Sequence, residues 1–388
     1  MRNQQRWVYH RGEGLRTFGV EEELLLVDPE TGLPQPLAGT VTEIAAWHAA
    51  AWHSGDEPRT EGPEPAKPEL YSEQLEIGTS PCTTTSQLAD QLRRARLAAA
   101  AAAKEAGAAV AALATPPVDF GPLLTPDDRY RRIHDRYAHL VDEEFACACH
   151  VHVHLASPEE GVGVLDRIRP WLAPLLALSA NSPYFQGVDT GYASWRHQLW
   201  QRWPMSGPSE LYGDVEAYER TTREMLASDV LIDDHMVYFD ARLSRRYPTV
   251  EIRVGDVCLD VEDTVLLAVL SRALVETAAR EWRRGRLPDP VSTVVLRLAA
   301  WRASRYGLGG ELLHPLSWRP APAGEVLSAL LDHVRPALEE ADDLKRAEQG
   351  VARVLTRGTG ADLQRAAHAG DPSLASVIVE AVRRTTPA

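Results

Sequence analysis

The sequence predicts an α+β protein built on an antiparallel β-sheet, and three observations support this fold class. Strand-like segments are mixed with helical segments, without the regular βαβ alternation that builds a parallel sheet. The sequence contains no glycine-rich phosphate loop of either common spacing. Four strand-like segments place polar, metal-binding side chains on one face and aliphatic side chains on the other. An antiparallel sheet with one face packed by helices satisfies all three observations.

Composition and charge exclude several classes of function. The chain has 388 residues, of which 44% are hydrophobic, so it can bury a sizeable core. Its net charge of −14 opposes general attraction to nucleic acid or to an anionic membrane. The four cysteines lack framework spacing, and no apolar run is long enough for a signal peptide or a membrane span. We therefore expect a cytoplasmic protein that binds neither nucleic acid nor membranes.

The first part of the chain predicts two strands and a long helix. After a polar leader over residues 1–15, RTFGVEEELLLVD predicts a strand. Residues 54–68 are charged and rich in Pro and Gly, which predicts a mobile loop. The segment ELYSEQLEIGTSPC predicts a second strand. Residues 83–86 then offer an N-cap for a helix that continues to residue 113 and ends at the short strand ALATP.

The rest of the chain predicts helices around two further strands. We expect a helix over 161–180, and then a long loop over 181–209 whose Gly, Pro and aromatic content is typical of an active-site lid. A helix over 215–228 precedes the strands MVYFDARLS and TVEIRVGDV. From residue 261 onward the pattern is mostly helical.

The stretch ACACHVHVHL predicts a strand whose two faces differ in chemistry. Because side chains alternate along a strand, His150, His152 and His154 share one face, while Cys147 and Cys149 share the other with valines. The cysteines are therefore poorly placed to join the histidines around one tetrahedral zinc ion. A zinc site and three unrelated histidines on a solvated strand are the alternatives to a larger active site.

The other three strands repeat this separation of polar and aliphatic faces. The polar residues that share a face are Glu21 and Glu23 in GVEEELLL, Gln74 and Glu76 in SEQLEIG, and Glu251 and Arg253 in TVEIRVGD. Carboxylates and imidazoles held together would repel one another unless cations intervened. Carboxylates with an imidazole suit magnesium or manganese better than structural zinc.

Together these motifs resemble a known family. The segments FGVEEEL, QLEIGTSPC, CHVHVH, LSANSPYFQGVDTGYASWRHQLWQRWP, TVEIRVGD and RYGLGG follow the order and approximate spacing of the type 2 glutamate-cysteine ligases, or carboxylate-amine ligases. The resemblance extends from about Arg16 to the C-terminal helices. It implies a single catalytic domain over 1–388 with a glutamine-synthetase-like curved antiparallel sheet. The concave face of that sheet would bind ATP, two or three Mg²⁺ or Mn²⁺ ions and an amino-acid substrate.

The resemblance also implies roles for individual residues. The implied metal ligands are Glu21, Glu23, Glu76, His150 and Glu251. Arg253 and Arg196 resemble catalytic clamps for phosphate or carboxylate oxygens, which suits the paired donors of arginine. His152 resembles a catalytic residue that faces the substrate. His154 stands where relatives usually have a small residue, and we expect it to contact the substrate.

Two glutamates beside the second strand are less well placed. Glu69 and Glu73 lie close to this strand in sequence, but their alternation disagrees with that of Glu76. We retain Glu73 as a further candidate for substrate binding.

The implied activity is ATP-dependent amide formation. A carboxylate attacks the γ-phosphate of ATP to give an acyl phosphate, which an amine then attacks; a γ-glutamyl amide is one such product. The departures at His154 and in the segment DEPRTEGPEPAK leave a specialised amine other than cysteine as an alternative acceptor. A phosphotransferase resembling the guanidino kinases is the alternative activity, whereas a non-catalytic protein would have lost part of the ligand set. The expected partners are a small acid, a small amine and, through the Ala-rich or C-terminal helices, a second copy of the chain.

Overall fold

A computed structural model describes residues 14–52 and 63–386. Its strands pair in antiparallel fashion. The strands are β1 (Phe18–Val27), β2 (Glu64–Pro68), β3 (Gln74–Gly78), β4 (Ala109–Ala111), β5 (Ala148–His154), β6 (Tyr184–Phe185), β7 (Val188–Asp189), β8 (Ala241–Leu243), β9 (Thr249–Asp256), β10 (Glu311–Leu313) and β11 (Pro320–Pro322).

Helices follow most of the strands and form the whole C-terminal region apart from one small hairpin. They are α1 (Ala38–Trp52), α2 (Thr85–Glu105), α3 (Asp128–Tyr137), α4 (His139–Asp142), α5 (Pro158–Ile168), α6 (Leu172–Ser179), α7 (Trp195–Trp200), α8 (Val215–Ala227), α9 (Val261–Arg283), α10 (Thr293–Tyr306), α11 (Ala323–Glu340), α12 (Leu344–Arg357), α13 (Gly360–Gly370) and α14 (Leu374–Thr385). Within the described residues no helix is both long enough and apolar enough to cross a lipid bilayer.

One large sheet dominates the part of the chain that the structure describes. Its strand order is β2-β3-β1-β5-β9-β8, and β4 adds to β1 outside this path. The predicted α+β class with an antiparallel sheet is therefore confirmed. The register places Glu23 opposite Glu76, and Glu21 opposite His150. Four strands that are distant in sequence thus bring their polar residues to one face.

The pairing of β5 with β9 contains a register shift beside the histidines. Cys149 pairs with Gly255 and Val151 with Ile252, so residues 253–254 of β9 together oppose His150. Such a β-bulge bends the strand and redirects the side chains that follow it. The bulge lies between Arg253, which is on the polar face, and Asp256, which is fully buried.

The opposite face of the sheet is covered by helices. Cys149, Val151 and Val153 are fully buried, and Ile252 of β9 is 1% exposed in the same cluster. Helix α9 packs against this face and also contacts α5, α11 and α12. The predicted division of the histidine strand into a polar and an aliphatic face is confirmed. Cys149 points into this cluster, away from the histidines, whereas Cys147 precedes β5 and is buried in a second cluster, which disfavours a zinc site that includes both cysteines.

Two predicted helices require correction. Helix α2 begins after Thr84, whose side chain forms a capping box with Gln87, but it ends at Glu105 rather than at residue 113. The chain then turns at Gly107, whose φ of +83° suits glycine, and enters β4. The helix predicted over 161–180 is divided into α5, a short 3₁₀ turn with Pro170, and α6.

The predicted loop over 54–68 is also partly corrected. Residues Glu64–Pro68 form the edge strand β2, because Glu64 and Lys67 pair with β3 despite the prolines. Residues 54–62 and most of the predicted leader lie outside the described residues.

Candidate functional site

The polar face of the sheet borders a cavity of about 420 Å³. Residues of β1, β3, β5 and β9 form its floor, and residues from the segments before β3, β5 and β9 complete it. The predicted site residues that line it are Glu21, Glu23, Glu76, His150, His152, Glu251 and Arg253. The alternation of side chains within the four strands therefore predicted which of their residues line the cavity floor.

Glu21, His152 and Glu251 form the most compact group of potential metal ligands. One donor atom from each lies within 4.8 Å of the other two. His152 Nε2 is 3.3 Å from Glu21 Oε2, and its Nδ1 is 3.0 Å from the Thr249 hydroxyl. His152, which the resemblance assigned to the substrate, therefore also lies among the metal-ligand candidates.

His150 lies beside this group and contacts the same two carboxylates. Its Nδ1 is 3.8 Å from Glu21 and 3.9 Å from Glu251. Burial, with help from Arg253, lowers the pKa of His150 to about 4. Burial alone would raise the pKa of Glu21, but His152 and His150 together hold it well below its usual value. The site therefore offers an ionised carboxylate next to a neutral imidazole, the protonation states that metal binding requires.

Glu23, Glu76 and Glu69 form a second acidic group. Glu23 Oε2 accepts hydrogen bonds from Gln74 Nε2 at 2.9 Å and from the Ala148 N–H at 2.7 Å. Burial raises the pKa of Glu23 to about 7, an effect that Arg196 opposes. Burial also raises the pKa of Glu76, and burial with the charge of Glu76 raises that of Glu69 well above its usual value. A divalent cation among these groups would relieve the repulsion.

Arginines surround Glu251 on the other side of the cavity floor. Arg242 donates to both of its carboxylate oxygens, at 2.8 and 3.2 Å, and Arg253 donates to one of them. These cations hold the pKa of Glu251 far below its usual value although burial opposes them. The Arg253 guanidinium also lies 5.8 Å from the ring centres of Trp200 and Tyr238. Arg253 is therefore fixed at the cavity surface, as a clamp for anionic oxygens requires.

A basic turn between β8 and β9 adds further cations that the sequence reasoning missed. Arg245 and Arg246 line the cavity beside Arg242, and Arg246 lies 5.0 Å from the ring centre of Tyr247. The local sequence SRRYP carried a signal, because two adjacent arginines precede a turn at proline. The position of these two arginines beside the acidic strands depends on tertiary structure.

Arg196 and Glu73, two other predicted site residues, do not line the cavity. Arg196 is 2% exposed, 3.9 Å from Asp256, and donates to backbone carbonyls of β9. Its guanidinium packs 5.7 Å from the ring centre of Trp200, which does line the cavity. Both oxygens of Glu73 accept the Leu123 N–H at 3.2 Å. Arg196 therefore supports the cavity residues Trp200 and Arg253 from behind. Glu73 lies in the turn before β3, where it holds the loop at Leu123.

His154 lies at the edge of the site, as predicted, but in a separate pocket. This pocket of about 140 Å³ is bordered by His152 and Tyr247, which also line the main cavity, and by Phe18 and Pro248. Its exposed surface is mainly apolar although Glu21 and Glu64 also border it, so its apolar walls suit an uncharged part of a ligand.

The segment predicted as a lid is anchored at its beginning and middle. Asp256 accepts hydrogen bonds from the Asn181 N–H and from the Ser182 and Ser194 hydroxyls, at 2.7 to 2.8 Å. All four residues are fully buried. This packing disfavours movement of residues 181–209 as one lid.

Two acidic residues at the site lie outside regular strands. Glu69 follows β2 in the turn that leads to β3, and Glu144 lies in the segment before β5. Sequence alternation could place neither of them, because the rule of alternate faces applies only within a strand. Arg129 of α3 also lines the cavity and pairs with Asp233 at 2.7 Å. Strand alternation could not predict this residue either, because it lies in a helix.

Comparisons with known proteins agree on one family. The model of glutamate-cysteine ligase family 2 matches residues 17–380. A protein of Streptomyces avermitilis called putative glutamate-cysteine ligase 2-1 is 49% identical over 371 residues, which cover 96% of this chain and 99% of that protein. A protein of the same name from Paenarthrobacter aurescens is 47% identical, covering 96% and 95%.

Solved structures show the same fold at much lower sequence identity. A crystal structure of glutamate-cysteine ligase from Francisella tularensis in complex with AMP aligns with a TM-score of 0.68 at 13% identity. The alignment covers 96% of this chain and 89% of that one.

Proposed function

This chain belongs to glutamate-cysteine ligase family 2 and is a ligase that joins a carboxylate to an amine; from that premise we propose that it uses ATP and an acyl-phosphate intermediate. The observation that carries the proposal is the cavity in which the acidic face of four strands meets the arginines of the β8–β9 turn. Acidic side chains bind divalent cations, whereas arginines bind phosphate oxygens. A nucleotide bound to magnesium contains both a divalent cation and phosphate oxygens.

The donor set fits divalent cations. Glu21, His152, Glu251 and the neighbouring His150 would bind one ion, and Glu23 with Glu76 a second. Bound magnesium or manganese would neutralise phosphate charge during transfer. Predominance of carboxylates and the absence of cysteine from these groups favour these ions over zinc.

The side chains of the site itself serve orientation and charge stabilisation. Arg253 is held by Glu251 and two aromatic rings, so it can donate to an oxygen of the transferring phosphoryl group without rearrangement. Arg246 lies at the cavity surface, where it would bind a more distant phosphate. We infer that the acid substrate lies between these arginines and the acidic strands, where its carboxylate can attack the γ-phosphate.

We further propose a γ-glutamyl amide as the product, because the relatives are called putative glutamate-cysteine ligases. The four buried free cysteines fit the reducing cytoplasm, and burial raises the pKa of Cys147 and Cys149 well above the usual value. They are therefore structural residues rather than nucleophiles.

A product screen tests the proposed function. The protein is incubated with ATP, Mg²⁺, L-glutamate or other small acids, and L-cysteine or other amines, and products are identified by mass spectrometry. ADP, free phosphate and an amide are expected, and hydroxylamine as the amine should give a hydroxamate by trapping the acyl phosphate. ADP with a phosphorylated acceptor would instead identify a phosphotransferase. Chelation by EDTA serves as the metal-free control.

A further inference from the structure

Glu144 is a buried carboxyl group at the cavity whose hydrogen-bonding capacity the described residues do not satisfy. The residue is 3% exposed and lines the cavity together with Tyr71 and Ala146. Neither of its carboxylate oxygens has a hydrogen-bond partner among the residues that the structure describes. Leaving such a group buried and unsatisfied costs free energy, so it marks a position where a ligand can supply the missing donors.

The backbone holds Glu144 firmly in this position. The Tyr71 hydroxyl donates to the carbonyl oxygens of both Val141 and Glu144, and the Tyr71 ring stacks on Phe145 at 5.1 Å between ring centres. Burial raises the pKa of Glu144 well above its usual value, although Arg196 and Arg202 oppose this. The side chain is therefore pre-positioned rather than a mobile surface residue.

The same cavity also contains unmatched donors. The indole N–H of Trp203, which is 3% exposed, and the Nε–H of Arg253 are buried without a hydrogen-bond acceptor among the described residues. Trp203 and Tyr238 pack edge to face, 5.7 Å apart, and both line the cavity. An unmatched carboxylate and unmatched N–H donors that line one cavity, together with aromatic rings, complement a ligand that carries both an ammonium and a carboxylate group.

We propose that Glu144 binds the α-ammonium group of the acid substrate, and that Trp203 donates to the α-carboxylate of the same molecule. This assignment rests on the proposed ligase function and adds the residues that would recognise the amino-acid end of its acid substrate. The ammonium of the acid is favoured over that of the acceptor for a chemical reason. A buried carboxylate stabilises a neighbouring ammonium in its charged form, whereas the acceptor amine must lose its proton before it attacks.

Binding measurements with two ligands test the assignment. L-Glutamate and glutarate share a carbon chain and two carboxylates, but glutarate lacks the ammonium. Isothermal titration calorimetry is performed with Mg²⁺ and a non-hydrolysable ATP analogue, so that no turnover is needed. We expect the wild-type protein to prefer L-glutamate by at least roughly tenfold, the size of one charge-assisted contact. Glu144→Gln should weaken L-glutamate binding by that factor and leave glutarate binding within about twofold.

Two further variants complete the test. Glu143→Gln is the matched control, because the adjacent Glu143 pairs with Arg202 at 3.0 Å and does not line the cavity; it should keep the wild-type preference. Trp203→Phe keeps an aromatic ring, though a smaller one, and removes the indole N–H, so it should weaken both ligands by similar factors. The assignment is overturned if Glu144→Gln weakens both ligands equally, if it behaves as Glu143→Gln does, or if the wild-type protein shows no preference.

The calorimetry and the product screen can fail independently. Amide formation with an unchanged ligand preference in Glu144→Gln would support the ligase and refute the role of Glu144. Discrimination between the two ligands without amide formation in any mixture would refute the ligase and support the ammonium site.

Discussion

Strand β1 carries three consecutive glutamates, and those on its two faces have opposite surroundings. Glu22 points into the core, is fully buried, and pairs with Arg96 through two hydrogen bonds of 2.6 and 2.8 Å. Glu21 and Glu23 point to the cavity, where their neighbours include further carboxylates. The comparison shows that a buried glutamate does not by itself indicate function. Glu22 is paired with an arginine, whereas Glu23 accepts hydrogen bonds from neutral donors and lies opposite another carboxylate, Glu76.

The core pair is satisfied internally. Glu22 also accepts a hydrogen bond of 2.6 Å from Thr264, and Arg96 donates to the carbonyl oxygens of Cys258 and Leu259. No oxygen of Glu22 is left for a ligand. On the cavity face Glu23 lies directly opposite Glu76, an arrangement of like charges that destabilises a strand pair. Lys67, 3.3 Å from Glu76, offsets part of this repulsion, and a bound cation would turn it into attraction.

Glu23→Gln should have the largest effect on activity. The amide keeps the shape of the side chain but removes one charge from the proposed cation site, so we expect kcat/KM to fall by at least about a thousandfold, or about 4 kcal/mol. The same change removes repulsion from Glu76, so the free energy of unfolding without metal should stay constant or rise. Steady-state kinetics and urea unfolding measure the two effects. Near-normal turnover would refute the role of Glu23 as a ligand.

Glu22→Gln should show the reverse pattern. Arg96 would become a buried charge without its counter-ion, and breaking a buried pair costs about 3 to 5 kcal/mol. We expect about 3 kcal/mol here, because the glutamine oxygen can still accept one hydrogen bond. Protein that remains folded should bind magnesium normally. Urea unfolding curves give the loss, and a change below about 1 kcal/mol would show that the pair contributes little.

The alternation of side chains along β1 predicted only part of this difference between the two faces. It separated Glu22 from Glu21 and Glu23, but only the strand register of the structure places Glu76 opposite Glu23 and His150 opposite Glu21. It did not reveal Arg96, because a partner from a helix 74 residues away in sequence depends on tertiary packing. The same limit explains the error at Glu73, which lies in the turn before β3 and not in the strand.

Residues outside regular elements show the limit most clearly. Glu69 and Glu144 belong to irregular segments, where no periodic rule relates sequence position to direction. The length of α2 was overestimated for a different reason. Alanine favours helix throughout residues 98–113, and only the turn at Gly107 and pairing with β1 determine where the helix ends.

Magnesium should distinguish the two faces by stability. A ligand that binds only the folded state at one hundred times its Kd stabilises a protein by about 2.7 kcal/mol. We therefore expect Mg²⁺ to raise the Tm of the wild-type protein and of any folded Glu22→Gln protein by similar amounts. Glu23→Gln should lose most of this increase. Differential scanning calorimetry with Mg²⁺ or EDTA measures the effect, and an equal increase in Glu23→Gln would place the cation elsewhere.

His154→Ala should have the smallest effect, because His154 belongs to neither face of β1 and only borders the site. It lines the 140 Å³ apolar pocket, whose other walls include Phe18, Pro248 and the shared residue Tyr247. Enlarging this pocket should change which uncharged part of a substrate fits it, while the cation ligands stay in place. We expect the ranking of acids or amines to change by about tenfold in kcat/KM, or about 1.4 kcal/mol, with an unchanged magnesium requirement. His314→Ala, which lies outside both cavities, is the control, and an identical substrate ranking in the two variants would make His154 an inert residue at the strand end.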